Sequence, residues 1–380
     1  MTIVVGTVVF LVVILLLVGL LLFVKAILTP SGNLKIVING EKELEVPVGG
    51  TLLASLQSNK IFLSGACGGS GSCGQCRCQV IEGGGEILPT EVGFFSRKQI
   101  KDHWRLGCQT RVKDNLNIRV PESVFGVKEW ECEVVSNNNV STFIKEFVVK
   151  LPAGEHLNFK PGSYIQIQVP DTDVVRAYSM ANYPAEGDIV MLNVRIANPP
   201  IDRATGKWKA GVPPGICSTY IFGLHAGDRV RLSGPYGDFH ILDTKREMLY
   251  IGGGAGMAPL RSQLLHLFHT LKTTDRKISY WYGARSKAEI FYEEDFRTIE
   301  QQFPNFTFTI ALSEPQPEDN WTGATGFIHQ VIFDKYLSTH EAPEDIEYYM
   351  CGPTPMANAV KTMLDNLGVP PEMLLFDDFG

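Results

Sequence analysis

The sequence contains no run of lysine and arginine, and its 34 basic residues are outnumbered by 41 acidic ones. The resulting net charge of −7 at pH 7 argues against nucleic acid as a partner, because binding to phosphate backbones needs clustered positive charge. The eight histidines show no metal-ligand spacing, so none is predicted to bind a metal ion. Internal repeats are also missing, which argues against a repeat architecture. With 380 residues, the chain is long enough for two or three domains.

Charge is also absent from the beginning of the chain. Residues 2–24 contain no Asp, Glu, Lys or Arg. As a helix they would extend roughly 35 Å, which exceeds the hydrocarbon core of a bilayer at roughly 30 Å. A basic segment and a small-residue cleavage site, which mark a signal peptide, are both missing. A buried core helix would carry polar positions along its length. We therefore predict a transmembrane helix over residues 2–27.

Basic residues follow this stretch but do not precede it. Lys25, Lys35 and Lys42 come after it, whereas Met1 and Thr2 stand in front. The positive-inside rule therefore predicts a single-pass protein whose long C-terminal part faces the cytoplasm. A reducing cytoplasm also suits thiolates that are free to hold iron.

Four of the eight cysteines have the spacing of an inorganic cluster site. Cys67, Cys73 and Cys76 lie in one glycine-rich loop, and Cys108 follows later in the chain. The spacing C-x5-C-x2-C…C is close to the plant-type [2Fe–2S] pattern, with one extra residue in the first gap. A structural zinc site would favour two compact knuckles, and disulfides would need an oxidising compartment. We predict that these four cysteines hold a [2Fe–2S] cluster.

Residues 33–128 have the pattern of a small ferredoxin domain. Apolar residues alternate on both sides of Asn39-Gly40, which predicts a hairpin, and Thr51 is placed to cap a short helix. Residues 116–120 supply a closing strand. Hairpin, helix, cysteine loop and final strand resemble the β-grasp fold of [2Fe–2S] ferredoxins.

Two further domains are predicted after this one. Short β-rich segments broken by proline and glycine predict an antiparallel β-barrel over residues 129–240. Over residues 241–380 apolar strands alternate with helical stretches, which predicts an α/β domain with a parallel sheet. Pro259 is predicted to open an amphipathic helix, whose apolar face carries Leu260, Leu264, Phe268 and Leu271.

A glycine-rich segment, residues 252–259, follows the first strand of this α/β domain and precedes its helix. This is where a phosphate-binding loop belongs. The segment is not a clean GxGxxG sequence, because Pro259 occupies the third glycine position. It also lacks the Gly-Lys-Ser/Thr of a Walker A loop. The segment therefore favours a dinucleotide, without specifying one.

The tetrapeptide Arg176-Ala177-Tyr178-Ser179 resembles the flavin-binding signature of the ferredoxin-reductase family. The resemblance implies FAD, with the arginine near its phosphates, the tyrosine stacked on the isoalloxazine and the serine hydroxyl bonded to flavin N5. A strand end with a buried tyrosine is the alternative interpretation. The implied FAD-binding residues are Arg176, Ala177, Tyr178, Ser179, Asn193, Val194, Gly215, Cys217, Ser218 and Thr219.

The same family resemblance extends to the nucleotide domain through residues 282–286 and 351–353. It implies that Ser179 and Cys351 are catalytic, and that Phe379 covers the flavin. A buried strand-end thiol and a packing phenylalanine are the respective alternatives. The implied NADH-side residues are Gly253, Gly254, Ala255, Gly256, Gly283, Arg285, Cys351, Gly352, Pro353 and Phe379.

The choice between NADH and NADPH is not fixed by charge. We recognise no acidic residue at the position where one would hydrogen-bond the ribose hydroxyls of NADH. Arg285 is placed where it could bind the 2′-phosphate of NADPH. NADH is therefore preferred from the family resemblance alone.

The order of anchor, ferredoxin, FAD barrel and NAD domain is similar to that in bacterial sodium-translocating NADH:quinone oxidoreductases. This resemblance implies an electron-entry component of an inner-membrane complex. NADH would give a hydride to FAD, and single electrons would pass to the cluster, to other membrane subunits and to ubiquinone, with Na⁺ transported by the complex. Members of this family carry a longer insertion before Arg176, where only Pro170–Val175 stands here. Any partner contact made by that insertion is therefore in doubt.

Two other functions remain open at this point. A reductase component of an oxygenase has the same three soluble modules, although such reductases normally lack an anchor. A membrane-tethered iron–sulfur scaffold that only senses nucleotide would bind NADH without reducing a flavin.

Overall fold

The computed structural model describes residues 6–7, 10–20, 32–65, 67–172, 174–199, 208–209 and 211–377. Its residues divide into two units by their contacts. The first unit comprises the chain up to Leu63 together with Gly69–Phe125, and the second comprises Ser64–Gly68 and the chain from Gly126 onward.

Near the N-terminus, residues 10–20 form helix α1. Its large apolar side chains are exposed, including Phe10 and Leu16. In the part of the chain that the structure describes, no helix is both long enough and apolar enough to cross a bilayer. Much of the transmembrane helix predicted over residues 2–27 lies outside the described residues.

A five-stranded mixed sheet forms the centre of the first unit, in the order β2-β1-β5-β3-β4. Strand β5 runs parallel to β1, and the other neighbours are antiparallel. The strands are β1 (Asn33–Ile38), β2 (Lys42–Pro47), β3 (Arg77–Glu82), β4 (Trp104–Leu106) and β5 (Leu116–Arg119), and the helices are α2 (Leu52–Ser58), α3 (Pro89–Val92) and α4 (Arg97–Lys101). This arrangement agrees with the predicted β-grasp order of hairpin, helix, loop and closing strand.

Two local predictions in this unit are confirmed. Asn39 and Gly40 both have positive φ, 53° and 75°, as a two-residue hairpin turn of the preferred type requires. Thr51 caps α2, because its Oγ1 accepts a hydrogen bond of 3.2 Å from the backbone N–H of Ala54.

A six-stranded antiparallel sheet in the order β10-β7-β6-β11-β8-β9 follows in the second unit. Its strands are β6 (Lys128–Ser141), β7 (Ile144–Lys150), β8 (Tyr164–Gln168), β9 (Val175–Ser179), β10 (Ile189–Arg195) and β11 (Arg229–Tyr236), with helix α5 (Ile216–Phe222) between the last two. An antiparallel bridge between Met180 and Leu192 links the chain after β9 to β10. The sheet therefore closes on itself as a barrel, as predicted, around a core that includes Phe147, Ile165 and Leu192.

The rest of the second unit is a parallel sheet in the order β15-β14-β13-β12-β16-β17. Its strands are β12 (Met248–Gly253), β13 (Ile278–Ala284), β14 (Phe306–Leu312), β15 (Ala324–Thr325), β16 (Glu347–Cys351) and β17 (Leu374–Asp377), and its helices are α6 (Met257–Leu265), α7 (Glu293–Gln302), α8 (Ile328–Lys335) and α9 (Thr354–Asn366). Every residue of β12 and β16 is buried, because separate hydrophobic clusters cover the sheet. The predicted α/β domain with its parallel sheet is confirmed.

The Arg-Ala-Tyr-Ser segment lies in strand β9, and Gly234-Pro235-Tyr236 ends β11. One detail differs from the sequence predictions. Leu271, expected on a buried helix face, is 57% exposed, because α6 passes into a π-helical turn at His266–Thr270 that shifts the helical register.

Candidate cofactor sites

In the first unit, three of the predicted cluster ligands lie on the loop and turn that flank β3 and β4. Cys76 and Cys108 are buried, and Cys73 is partly exposed. The backbone N–H of Cys108 donates to Cys76 Sγ at 3.5 Å, and Gln109 Nε2 donates to Cys108 Sγ at 3.6 Å. Sulfur atoms that accept N–H bonds in a partly buried loop fit the thiolates of an iron–sulfur cluster.

Loop glycines make this arrangement possible. Gly69, Gly71 and Gly74 have positive φ, which side-chain-bearing residues rarely adopt. A Cβ at Gly74 would also lie 2.3 Å from the ring of Phe94. The loop therefore needs glycine at this position both for its backbone conformation and for the close approach of that ring.

Cys67 lies in Ser64–Gly68, the short segment that belongs to the second unit, and it is partly exposed. Over the described residues no group of three or more His, Cys, Asp and Glu side chains could hold a metal ion. A [2Fe–2S] cluster instead divides four thiolates between two irons, so its ligands are expected in pairs. The close approach of Cys76 and Cys108 fits one such pair.

Strand β9 carries the residues predicted to bind the flavin. Arg176 is exposed, and its Nη1 donates to the carbonyl oxygen of Val175 at 2.8 Å, which leaves other guanidinium N–H groups for a phosphate. Tyr178 is half-buried against the barrel core. Burial, and then the neighbouring Cys217 thiol, raise the pKa of Tyr178 well above its ordinary value, so the phenol stays protonated. Ala177 is half-buried, and its Cα pairs with that of Gln166 on β8.

The turn that precedes α5 contains the second group of predicted flavin residues. Ser218 Oγ accepts a hydrogen bond from Ala197 N and donates to the carbonyl oxygen of Gly215, both at 3.1 Å. These two bonds fix the turn, so Ser218 has a structural role as well as a predicted one. Cys217 is buried and Thr219 is exposed.

On β10 the two predicted residues have different environments. Val194 is fully buried in the barrel core, so only its backbone is available to a ligand. Asn193 is also buried, and its Nδ2 donates to Tyr292 Oη at 2.9 Å. Its Oδ1 is buried without a hydrogen-bond partner. An unsatisfied buried carbonyl oxygen is uncommon in proteins, and a bound donor would remove its cost.

The carboxyl ends of β12, β13 and β16 bring the predicted nucleotide residues together. Gly253 lies in register with Gly283, and Gly252 lies in register with Cys351. Gly254 and Ala255, the next residues after β12, are half-buried in a short 3₁₀ turn that leads to α6. This is the edge of an open parallel sheet at which nucleotides bind.

Gly256 shows why this loop requires glycine. A Cβ there would lie 2.1 Å from the carbonyl oxygen of Cys351 and 2.6 Å from the backbone N of Gly352. The loop after β12 is thus pressed against the end of β16. Pro353 follows and is exposed, and it precedes the first turn of α9.

Ser179 and Cys351 are brought close together by a residue that the sequence interpretation missed. Ser179 Oγ donates to Asp377 Oδ2 at 2.7 Å. Asp377 in turn lies in register with Cys351 across the parallel pair β16–β17. Ser179 and Cys351 are both buried, at 6% and 1% exposure. A barrel hydroxyl therefore bonds a carboxylate of the sheet, on the strand next to the one that carries Cys351.

Arg285 does not present a free cation at the nucleotide edge. Its Nη2 and Nε lie 2.7 Å and 3.2 Å from Glu289 Oε1. The hydrogen bond to Glu289 raises the pKa of Arg285, which keeps its charge paired. Glu289 reaches back from a 3₁₀ turn, Lys287–Glu289, to form this pair, which the sequence interpretation did not include.

Phe379, predicted to cover the flavin, lies outside the described residues, as does the rest of the chain after Asp377. Asp377 is the last described residue, and it already contacts Ser179. The role of Phe379 therefore stays a prediction.

Comparison with known proteins gives a family match for each of the three predicted cofactor domains. Residues 36–113 match the 2Fe-2S iron-sulfur cluster binding domain. Residues 131–241 match the oxidoreductase FAD-binding domain, and residues 250–362 match the oxidoreductase NAD-binding domain.

Relatives with similar sequences match almost the whole chain. The F subunit of the Na(+)-translocating NADH-quinone reductase of Pseudomonas aeruginosa is 50% identical over 395 residues, covering 96% of this chain and 95% of the relative. The protein of the same name in Neisseria meningitidis is 49% identical over 413 residues, covering 100% of both. The aligned length of 413 exceeds the 380 residues here, so that relative contains residues which this chain lacks.

Solved structures share the fold over most of the chain. The ferredoxin reductase in carbazole 1,9a-dioxygenase is 26% identical, with a TM-score of 0.65 and coverage of 93% of this chain and 100% of that one. The Amycolatopsis cytochrome P450 reductase GcoB is 24% identical, with a TM-score of 0.67 and coverage of 91% and 98%. This second likeness concerns the fold alone.

Proposed function

Because the chain belongs to the family formed by the F subunits of Na⁺-translocating NADH-quinone reductases, we propose that it is the electron-entry component of such a complex. It is an oxidoreductase with domains for NADH, FAD and a [2Fe–2S] cluster. Electrons enter from NADH, pass through FAD and leave through the iron–sulfur cluster. Ubiquinone is the final acceptor of the complex.

The α/β domain binds and orients NADH. Gly253, Gly254 and Gly256 form the loop that receives the pyrophosphate, and Gly283 and Gly352 flank it at the same sheet edge. Close packing of the loop against the end of β16 leaves backbone N–H groups, and no side chains, to meet the phosphates. The nicotinamide end is assigned to Cys351 and Pro353, at the end of the neighbouring strand.

The barrel domain binds FAD through β9 and the α5 turn. Arg176 holds the phosphates, and Tyr178 presents its ring to the isoalloxazine. When bound, FAD accepts a hydride, which is two electrons, from NADH and releases electrons singly to a [2Fe–2S] cluster. Ser179 Oγ, whose proton is donated to Asp377, would accept a hydrogen bond from the N–H of the reduced flavin edge, and Asp377 orients that hydroxyl. Buried Cys351 excludes water from the same place.

Electron exit is assigned to the four cysteines of the ferredoxin domain. Cys73, Cys76 and Cys108 come from the first unit, and Cys67 is the fourth ligand by its spacing. N–H donors at the sulfur atoms of Cys76 and Cys108 stabilise negative charge on those ligands.

We further propose that residues 2–27 anchor the chain in the bacterial inner membrane, with the soluble domains in the cytoplasm. The support is the uncharged stretch over residues 2–24 and the exposed apolar face of α1. Other membrane subunits of the complex would then receive the electrons, and Na⁺ transport would belong to the assembled complex.

One observation carries the assignment of the reaction centre. Ser179 of the barrel bonds Asp377 of the sheet, although 198 residues separate them in sequence, and Asp377 lies in register with Cys351. A domain that only sensed nucleotide would not need a polar cluster between its flavin and nucleotide surfaces. This cluster therefore favours hydride transfer over a scaffold function.

Separation of electron entry from electron exit tests this function. Full-length Cys76→Ser protein, in detergent and without oxygen, is expected to keep flavin bleaching by NADH and to lose the cluster's paramagnetic signal. Cys132→Ala, at a buried barrel thiol, is the matched control and should retain both. Loss of flavin bleaching in Cys76→Ser alone would contradict the separate roles of the two domains.

A further inference from the structure

A cavity of about 520 Å³ opens at the amino edge of the parallel sheet. Its walls are the connector from β11 to β12, the segment from α6 to β13, and the loop before β8. The lining residues are Lys160, Pro161, His240, Ile241, Leu242, Asp243, Thr244, Lys245, His266, Leu267, Leu271, Lys272, Thr273, Thr274, Asp275 and Arg276. We call this the connector cavity. Its volume is that of a small-molecule site.

The cavity lies away from the nucleotide edge. The cavity residues come before Met248 and Ile278, which are the first residues of β12 and β13. The nucleotide loop follows Gly253, which is the last residue of β12. Six residues of parallel strand extend about 20 Å, so the two edges are too far apart for one phosphate group to contact both. A ligand in the connector cavity would therefore be distinct from the NADH pyrophosphate.

Cations surround the cavity, and two of them have no ion pair among the described residues. Lys245 is paired with Asp275, and Arg276 donates to Thr244 O at 3.0 Å and lies 3.8 Å from Glu347. The two cations without an ion pair are Lys160, from the barrel, and Lys272, from the α/β domain. Asp243 also lines the cavity and is exposed, as both lysines are, so two lysines against one aspartate leave one net positive charge beyond the ion pairs. The remaining charge favours an anion.

Two neutral histidines line the cavity, and one of them, His266, adds a hydrogen-bond donor. Burial lowers the pKa of both His240 and His266, which keeps them uncharged at neutral pH. The Nδ1 of His266 is buried without a partner. Burying an acceptor nitrogen without a hydrogen bond costs less free energy than burying an N–H without one. The single proton of neutral His266 is therefore assigned to Nε2. His240 Nδ1 lies 3.3 Å from the carbonyl oxygen of Pro161 and is engaged as a donor.

The backbone beside these side chains is irregular in two places. His266–Thr270 form a π-helical turn, which is rare and often found at functional sites. Lys272 has φ of 52°, a strained conformation for a residue with a side chain. Two irregularities within seven residues, both on the cavity wall, place Lys272 and the hydroxyls of Thr273 and Thr274 together.

We propose that the connector cavity binds a phosphate-bearing small anion that bridges Lys160 and Lys272. Lysine ammonium groups and threonine hydroxyls are common phosphate ligands. The bridge joins the barrel to the α/β domain beside residues 237–247, which link β11 to β12. Such an anion would act on the chain from the side opposite the NADH edge, as an effector and not as a substrate.

Binding of inorganic pyrophosphate tests the proposal. The probe is titrated by calorimetry into full-length protein loaded with FAD and cluster, with saturating NAD⁺ to fill the nucleotide site. One site is expected, with affinity at least about tenfold weaker in the double variant Lys160→Gln/Lys272→Gln. Lys335→Gln, at an exposed lysine in α8, makes a matched control and should bind as the unaltered protein does.

Both altered lysines are exposed, so the double variant is expected to fold, and its FAD content checks this. Absence of binding to the unaltered protein would overturn the proposal. Equal affinity in the double variant and in Lys335→Gln would overturn it too, because the anion would then bind elsewhere. A second titration with ATP distinguishes an organic from an inorganic phosphate, since the tighter ligand identifies the source.

Discussion

Ser179 shows how one hydrogen bond joins two distant parts of the chain. Its hydroxyl is buried at 6% exposure and donates to Asp377 at the end of β17. A carboxylate acceptor fixes the orientation of a serine hydroxyl better than water does. Because the one hydroxyl proton lies on the bond to Asp377, Ser179 Oγ is the acceptor in the predicted bond to flavin N5, and its orientation depends on Asp377.

Removal of that hydroxyl should slow hydride transfer. In Ser179→Ala we expect flavin reduction by NADH to fall on the order of 30-fold, about 2 kcal/mol, with unchanged FAD content. Stopped-flow absorbance measures the rate. Ser233→Ala removes another buried barrel hydroxyl, which is bonded to Tyr236 at 2.9 Å, and should leave the rate unchanged. Equal rates of flavin reduction in the two variants would show that Ser179 is not part of the reaction centre.

Arg285 and Glu289 are the residues on which coenzyme choice is expected to depend. Glu289 pairs with the arginine that would otherwise attract a 2′-phosphate, and its own charge repels one. In Glu289→Gln we expect the ratio of kcat/KM for NADPH to that for NADH to rise about tenfold. Glu293→Gln breaks a similar pair with Arg297 on α7 and is the control. The same ratio in both variants would contradict this role.

Among the elements, α3 is held to β4 by a buried ion pair. Glu91 is fully buried and lies 2.8 Å from Arg105 Nη2, with a further 2.8 Å bond from the backbone N–H of Leu106. Arg105 Nη1 also donates to the carbonyl oxygen of Gly84 at 2.6 Å. A charge buried in this way destabilises the fold when its partner is removed.

Neutralisation of Glu91 should therefore loosen the ferredoxin domain. In Glu91→Gln we expect a loss of about 3 kcal/mol in stability and earlier loss of the cluster on heating. Visible absorbance of the bound cluster follows this loss. Glu86→Gln, at an exposed glutamate, should behave like the unaltered protein. Identical melting of the two variants would show that the buried pair contributes little.

Elements set by local signals were predictable, and those set by distant partners were not. The Asn39-Gly40 hairpin and the Thr51 cap need only a few adjacent residues. Strand β9 is of the second kind, because its place in the sheet depends on pairing with β8. Asp377 and Glu289 were missed because their contacts depend on the packing of a strand and a turn. Their sequence neighbours carry no motif that marks them.

At the scale of the whole molecule, the order of the domains identified the family better than any single motif did. A cysteine loop, an Arg-x-Tyr-Ser strand and a glycine loop each admit other interpretations, but their order matched one family along the chain. The anchor differs from these modules, since half of its predicted span lies outside the described residues. It rests on composition and needs its own test.

Deletion of residues 2–27 tests the anchor. The full chain is expected to remain in the membrane fraction after a carbonate wash, whereas the shortened chain should be released. Flavin reduction by NADH should persist in the shortened protein, because the cofactor residues lie beyond residue 60. Release of the full chain by carbonate would contradict an inserted helix and indicate surface binding instead.

The central claim is that one chain converts hydride transfer into single-electron transfer, and an anaerobic titration tests it most directly. Full-length protein with both cofactors is titrated with NADH while flavin absorbance and the paramagnetic signal are followed. One FAD takes two electrons and one cluster takes one, so complete reduction should need about 1.5 NADH per chain. Flavin bleaching together with one reduced [2Fe–2S] signal is the predicted result. NADH that binds without reducing either centre would contradict the account.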